Sequence, residues 1–514
     1  MKLTRNNLAL IAILLLAALL RLTRVDLAEF KGDEGANCMV MLGMVRDRSF
    51  PLLGPPSSEG GYHFGPAMYY ILYPAFQLSL DPRVASVVIA SINVLAVYLS
   101  YRLGKELFNE GVGLIASALF ATSPIAIIYS LKFWNYDLQP FAVTSIFYSL
   151  ARVMKKDQRF WAPLLASLAL AIQLHATALA LIPAILVVAL ASMIKNRIKP
   201  SLRYLGLGVC GYVSIYLPVL YHEIGSNFKD TGLFIAWAFQ RSTRSSPDSA
   251  FIRQLLEIYG NQISPSAESL RDSYLGFGTG VGPDAQNFLE IALFIAAICV
   301  VSLRLTRNVG YLTLWTWALT PLPLYFLAQF RSPNYYTIFF PVQYLIIAVL
   351  LENLSRKGRT LKKVFSIRTG SILSAALTLF IVFGQIAQMN NFYTQIQEYG
   401  GGVSDYGSIL MDKERAINYI VQSAGGQPFR LLYVVPRGLE PYRYLLKINN
   451  AQIRNDSNLT YLIIDPNAYN VIEPAYVVTD PEDKTIHILL QSQYINRAAE
   501  TRSFGLITVY KIVE

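Results

Sequence analysis

Residues 161–194 read WAPLLASLALAIQLHATALALIPAILVVALASMI, an apolar run without Asp, Glu, Lys or Arg. The run is too long for one ordinary membrane helix, because a bilayer core of about 30 Å needs about 20 helical residues. Basic clusters flank it at 155–159 and 195–203. Lys and Arg favour the cytoplasmic side of a membrane. The chain is therefore predicted to cross the membrane twice here and to turn near Gln173-Leu174-His175, at the outer surface.

The composition of the 514 residues also indicates a membrane protein. Hydrophobic residues make up 54% and charged residues 15%, whereas soluble domains carry about 25% charged residues. The net charge of +11 is distributed mainly between the apolar runs, as the positive-inside rule requires, so no nucleic-acid partner is predicted. The three cysteines are far apart in the sequence and indicate neither a disulfide framework nor a cysteine metal site.

The same criteria predict about eleven membrane helices, with the N-terminus inside and the C-terminus outside. The first apolar stretch is kept as a membrane helix, because no small-residue cleavage site precedes Arg21. The predicted spans are 8–22, 84–103, 112–129, 138–154, 161–174, 176–194, 204–221, 287–303, 310–327, 335–351 and 370–388. The predicted fold class is a polytopic α-helical membrane protein with a C-terminal extracytoplasmic soluble domain that is α/β or mainly β.

Three outer parts of the chain are expected to carry the function. The loops at 23–83 and 222–286 are too long to be simple connections between helices of the core at 1–388. From 389 to 514 the chain turns polar, and short β-branched runs such as 431–435 and 506–513 predict strands. The sequence therefore predicts a helical core with two large outer loops, followed by a soluble domain at 389–514.

The first outer loop presents two adjacent carboxylates, in Phe30-Lys-Gly-Asp33-Glu34-Gly35. Adjacent carboxylates repel each other and favour a basic partner or a bound ligand. The dipeptide alone leaves a solvated acidic turn as an alternative. Later in the same loop, an aromatic segment reads Tyr62-His63-Phe64-Gly65-Pro66.

With these motifs the chain resembles the glycosyltransferase-C superfamily, specifically the bacterial branch related to protein O-mannosyltransferases and lipid A aminoarabinose transferases. The resemblance spans roughly residues 8–351. In that family an Asp-Glu pair follows the first membrane helix, and a proline-containing aromatic segment leads toward the second, which match Asp33-Glu34 and His63-Phe64-Gly65-Pro66. The further matching motifs are Ser123-Pro124, Lys132-Phe133-Trp134-Asn135, Gln173-Leu174-His175, and Tyr335-Tyr336 with Pro341.

The resemblance implies a membrane hexosyl- or pentosyltransferase that uses a polyprenyl-phosphate sugar. The acceptor would be a hydroxyl of a glycan, a lipid or a protein, and the transfer would invert the anomeric centre. Asp33 would be the general base, and Glu34 would position the acceptor or a loop cation. The site would lie on the extracytoplasmic side of a bacterial inner membrane, so no nucleotide is expected.

The predicted substrate-binding residues include two substitutes for a missing lysine. Relatives often carry Glu-Lys before Pro-Pro, where this chain has His63-Phe64 before Gly-Pro. Lys132 and Arg331 are the predicted replacements in binding phosphate, with a snorkelling membrane anchor as the alternative for each. The other predicted substrate-binding residues are Tyr62, His63, Asn135, His175 and Tyr335, with a capping or hydrogen-bonding role at the hairpin as the alternative for His175. No cofactor is certain, and a divalent metal held by Asp33, Glu34, His63 and His175 stays open.

Three other classes of protein remain as alternatives. A lipid or glycan transporter or flippase would usually show mid-membrane charges, broken helices or related halves, which are not clear in this sequence. A non-catalytic membrane assembly protein would leave the acidic pair unexplained. A glycan polymerase or ligase would carry a large late outer loop rich in Arg and His.

Overall fold

The computed structural model describes residues 4–58, 60–244, 285–328, 333–360, 367–401, 406–434, 438–465, 475–479, 486–490 and 495–513. Within these ranges the chain forms a helical body followed by a domain with a six-stranded sheet. The helices of the body are α1 (Arg5–Leu22), α2 (Gly32–Arg46), α3 (Ala67–Phe76), α4 (Arg83–Leu107), α5 (Glu110–Thr122), α6 (Pro124–Tyr129), α7 (Gln139–Met154), α8 (Trp161–Leu174), α9 (Ile182–Asn196), α10 (Leu202–Gly225), α11 (Lys229–Arg244), α12 (Ala285–Ser302), α13 (Val309–Leu319), α14 (Leu322–Ala328), α15 (Phe340–Thr360) and α16 (Ile367–Tyr399).

Apolar helices of membrane-spanning length support the polytopic helical part of the predicted fold class. Six described segments are long and apolar enough to cross a membrane: Arg5–Leu22, Arg83–Leu107, Ala176–Asn196, Leu202–Gly225, Asn334–Ser355 and Gly370–Tyr399. Glu110–Thr122 and Ala292–Ser302 are shorter apolar helices. The predicted spans are largely helical, but 112–129 is interrupted at Ser123 and 310–327 at Thr320-Pro321. The number of eleven and the orientation stay predictions.

The break predicted inside residues 161–194 is present. Helix α8 ends at Leu174, and His175 is extended, with φ −162° and ψ 142°. A 3-10 helix, Ala176–Leu181, follows and leads into α9. Because Gln173 donates from its side chain to the carbonyl of Ile215 and its own carbonyl accepts from Gly65 at 2.9 Å, the break is tied to both α10 and the first loop.

The C-terminal domain is a mixed α/β unit. Its helices are α17 (Leu410–Ala424) and α18 (Glu440–Ile448), and its strands are β1 (Arg430–Val434), β2 (Leu459–Ile464), β3 (Ala475–Thr479), β4 (Ile486–Leu490), β5 (Ala498–Phe504) and β6 (Ile507–Val513). The strand order is β4-β3-β1-β2-β6-β5, and only the central pair β1 and β2 is parallel. The predicted boundary at 388/389 falls inside α16, which continues to Tyr399.

A short segment of the C-terminal domain, residues 406–410, pairs with the first loop; we call it the docking strand. The backbone nitrogen of Leu410 donates to the carbonyl of Ala28 at 3.0 Å, and that of Phe30 donates to Ser408 at 3.3 Å. The hydroxyl of Tyr406 donates to the carbonyl of Leu27 at 2.7 Å. The C-terminal domain is therefore attached directly to the loop that carries the acidic pair.

Candidate active site

Two cavities meet beside the start of α2. The larger, of about 880 Å³, extends along the aromatic segment of the first loop to His175. The smaller, of about 520 Å³, extends toward the C-terminal domain at Gly438 and Glu440. The residues that line both cavities are Asp33, Ala36, Ser58, Trp134, Tyr136, Asn334 and Tyr335. Asp33 therefore lies where a ligand in one cavity could meet a ligand in the other.

The two carboxylates of the acidic pair have different environments. Helix α2 begins at Gly32, and the side chain of Glu34 turns back so that its Oε2 accepts the N–H of Lys31 at 3.0 Å. Glu34 is fully buried, whereas Asp33 is exposed. Burial raises the pKa of Glu34, the neighbouring Asp33 raises it further, and Lys132 and Lys31 oppose the rise. Asp33 is consequently the carboxylate presented to the cavities.

Lys132 lies in a buried ion pair, which does not fit the membrane-anchor alternative. Its Nζ is 2.6 Å from Oε2 of Glu29, and both side chains are almost fully buried. The ammonium also lies 4.3 Å from the ring centroid of Trp134. Glu29 in turn pairs with Lys31 and accepts the N–H of Gly407 at 2.7 Å. The lysine therefore connects the wall of the smaller cavity to the docking strand.

His63 and Tyr62 line the larger cavity and are held by α10 and α11. Nδ1 and the backbone nitrogen of His63 lie 2.8 Å and 2.9 Å from Oδ1 of Asp230. Nε2 of His222 lies 3.3 Å from the other oxygen of Asp230. Burial raises the pKa of Asp230, but the hydrogen bonds from His63 outweigh it and hold this pKa below its ordinary value. The ring of Tyr62 contacts Trp237, with centroids 5.6 Å apart.

His175, Asn135 and Tyr335 form another part of the same wall. Nδ1 of His175 accepts the N–H of Thr177 at 3.2 Å, so a neutral imidazole carries its proton on Nε2. The ring centroid of His175 lies 4.6 Å from that of Phe64 and 5.4 Å from that of Tyr335. Asn135 donates from its side chain to the carbonyl of Leu174. Residues from distant motifs are thereby collected around one cavity.

Two of the predicted features are not placed by the structure. Arg331 lies outside the described residues, as does much of the loop at 222–286.

In the described part of the chain, no group of three or more His, Cys, Asp or Glu side chains is arranged to hold a metal ion. The fit of a divalent metal to Asp33, Glu34, His63 and His175 therefore finds no support in this geometry.

Sequence reasoning missed several residues of the site. Glu29 carried no motif, although it pairs with two lysines. Asn334 stands directly before the Tyr335-Tyr336 motif and lines both cavities, so that motif could have indicated it. Glu440 lies in the C-terminal domain and lines the smaller cavity; its sequence neighbourhood offers no signal for this location.

Comparisons with known proteins agree with the fold. Residues 65–222 match the family model for dolichyl-phosphate-mannose-protein mannosyltransferase. The structure of ArnT from Cupriavidus metallidurans bound to undecaprenyl phosphate matches with a TM-score of 0.60 and 11% identity, over 98% of this chain and 97% of that one. ArnT from the same organism in the apo state matches with a TM-score of 0.56 and 12% identity, over 98% and 97% of the two chains. A comparison with curated proteins gives no match.

The whole chain therefore has the fold of ArnT, and its described apolar helices of membrane-spanning length make it a multi-pass membrane protein. The resemblance to the glycosyltransferase-C superfamily, first seen in the motifs of the sequence, is confirmed by the family model and the fold together.

Proposed function

We propose that this protein is a glycosyltransferase that moves a sugar from a polyprenyl-phosphate donor to a hydroxyl acceptor, on the extracytoplasmic side of a bacterial inner membrane. The observation that carries the proposal is the location of Asp33, an exposed carboxylate on the wall shared by two cavities. A transferase needs a base at the point where its donor and its acceptor meet.

The larger cavity is the proposed donor site. Aromatic and histidine side chains line it, among them Tyr62, Phe64 and His175. The similar ArnT structure contains undecaprenyl phosphate, and the matching family is described by its use of dolichyl-phosphate mannose. Both findings support a polyprenyl-phosphate donor, and neither selects the sugar.

The reaction is a single displacement with inversion. An oxygen of the acceptor hydroxyl forms a bond to the anomeric carbon while the bond from that carbon to the phosphate oxygen breaks. The electron pair of the broken bond leaves with the polyprenyl phosphate, and the hydroxyl proton passes to Asp33. Glu34 is buried and bonded to the backbone of Lys31, so its role is to fix the start of α2 and thereby the position of Asp33.

Charge on the departing phosphate requires a cation or strong hydrogen-bond donors. In the larger cavity His63 is suited to this role, because Asp230 occupies its Nδ1 and leaves Nε2 for a ligand. A protonated His63 would donate from Nε2 to a phosphate oxygen. Arg331 remains the second proposed phosphate ligand. Lys132, paired with Glu29, contributes to the charge of the site from its buried position.

The test uses the full-length protein in nanodiscs with a panel of polyprenyl phosphates carrying radiolabelled sugars. We expect release of the label from one of these donors, to water or to an added hydroxyl acceptor, and loss of this release in Asp33→Asn. Asp456→Asn is the matched control, because Asp456 is exposed and pairs with Arg454 on the C-terminal domain. Equal turnover in Asp33→Asn would refute the proposed base. No turnover of any donor, with lipid crossing reconstituted vesicles instead, would favour a flippase.

A further inference from the structure

The smaller cavity has a lining that differs from that of a lipid site. Four aromatic side chains contribute to its walls, those of Tyr129, Trp134, Tyr136 and Tyr335. Among the described residues that line it, the only aliphatic side chain is the methyl group of Ala36. An acyl chain would be bound by larger aliphatic groups. Aromatic faces next to polar groups suit a ligand that is apolar on one face and rich in hydroxyls at its edge.

Two buried polar atoms at the wall shared by the cavities also point to a hydroxyl ligand. Nε1 of Trp134 and Oδ1 of Asn334 have no hydrogen-bond partner within the described ranges. Buried polar atoms are nearly always paired in folded proteins. The indole N–H can only donate and the amide oxygen can only accept, and a hydroxyl group satisfies either one.

The charges around the smaller cavity favour a neutral ligand. Among the described residues that line it, the two cations, Lys31 and Lys132, both pair with Glu29 behind the wall. Asp33 and Glu440 add two further carboxylates to the lining. The described charges around this cavity therefore do not sum to a positive value, so a phosphorylated ligand would meet no excess of positive charge.

Glu440 is brought to this cavity by close packing between the C-terminal domain and α2. It is the first residue of α18. The preceding Gly438 has φ +78°, and a Cβ there would lie 2.7 Å from the Cα of Gly32. A Cβ on Gly35 would overlap the backbone of Glu440 and Pro441. Glycines on both sides of the contact thus allow the Glu440 backbone to approach the residues around Asp33.

We infer that the smaller cavity is the acceptor subsite, that its acceptor is a neutral carbohydrate, and that Glu440 determines specificity by accepting hydrogen bonds from the acceptor's hydroxyls. The inference rests on the proposed function, since it assigns the larger cavity to the donor. It adds that the C-terminal domain supplies part of the acceptor site. A phosphorylated lipid is the acceptor class that the charges of the lining disfavour.

The experiment measures transfer from the donor found in the turnover assay to three kinds of probe: neutral methyl hexosides, a Ser/Thr-containing peptide and a phosphorylated lipid. We expect transfer to a methyl hexoside. In Glu440→Gln, we expect the kcat/KM for that hexoside to fall about tenfold or more, mainly through KM. The reason is that the charged carboxylate, which accepts a hydrogen bond from a sugar hydroxyl, is replaced by a neutral amide. The donor's Kd should stay within twofold of wild type. Asp456→Asn should match wild type in every measurement.

Binding supplies a readout that does not depend on turnover. Titration with the methyl hexoside should change the tryptophan fluorescence of wild type, and Trp134→Phe should remove this change. The carbohydrate assignment would be overturned if the sugar is transferred to the peptide or the phosphorylated lipid instead of the hexosides. The proposed function would still stand in that case, provided that donor turnover requires Asp33. An unchanged KM in Glu440→Gln would overturn the role of Glu440. Absence of any donor turnover in wild type would instead overturn the proposed function itself.

Discussion

The backbone of Gly35 packs so closely on Pro441 that a Cβ at residue 35 would overlap the nitrogen of Pro441, which leaves no room for a side chain. Gly35 directly follows Asp33-Glu34 in α2, and Pro441 is the second residue of α18. The helix that carries the acidic pair is therefore packed on the C-terminal domain. Because the docking strand also joins the first loop to the C-terminal domain, the position of Asp33 depends on that domain as well as on the helical body.

A methyl group at residue 35 tests that contact. Gly35→Ala should lower the free energy of unfolding by about 1–3 kcal/mol through overpacking and should reduce sugar transfer, because α2 and α18 must separate. Gly43→Ala is the matched control in the same helix, since among the described atoms its Cβ would meet only Asp47, at 3.9 Å. The control should gain roughly 0.5–1 kcal/mol from helix propensity. Thermal unfolding compares the two, and equal stability of both variants would contradict the packing argument.

The two carboxylates should differ in their contribution to catalysis. Asp33→Asn should lower kcat by about 10²-fold or more, the usual range for loss of a general base. Glu34→Gln should lower it less, because a buried amide oxygen can still accept the N–H of Lys31. Single-turnover rates at saturating donor measure both effects. A larger loss in Glu34→Gln, with Asp33→Asn nearly active, would reverse the assignment.

The buried position of Glu34 predicts a pH dependence of stability. Because burial raises its pKa above the ordinary value of 4.5, the folded protein favours the protonated form. The stabilisation is complete below the unfolded pKa and is lost as the pH rises through the folded pKa. Glu34→Gln stays neutral, so its Tm should match wild type near pH 4 and exceed it increasingly as the pH rises from 4.5 toward the raised pKa of the folded state. A Tm difference that does not vary with pH would contradict this prediction.

The ion pair between Lys132 and Glu29 should be costly to break on one side only. Lys132→Met leaves Glu29 buried with Lys31 as its remaining cation, and loss of one partner of a buried pair costs about 3–5 kcal/mol. The double variant Glu29→Gln/Lys132→Met should recover much of the free energy of unfolding. Lys105→Met is the control, because Lys105 pairs with Glu110 at the surface, where a pair contributes less than about 1 kcal/mol. Additive losses in the double variant would argue against direct coupling.

Much of the helical body could be predicted because its signals are local. Apolar runs of suitable length and basic flanks identified the helices, including the break after Leu174. The position of the acidic pair next to the first helix and the aromatic segment at His63 were also readable from the sequence. The end of α16 was not, because the chain becomes polar at Met389 while the helix continues to Tyr399; a helix that leaves an apolar environment keeps its backbone hydrogen bonds.

The sequence by itself determined the class of fold, since transfer of apolar segments from water to lipid depends on composition over about 20 residues. It also determined which short motifs were worth examining. Only the tertiary structure decided that Asp33 is exposed while Glu34 is buried, that Lys132 pairs with Glu29, and that Glu440 reaches the cavity beside Asp33. These properties depend on contacts between residues far apart in the chain. No local pattern specifies such contacts, because they arise from the packing of one folded segment on another.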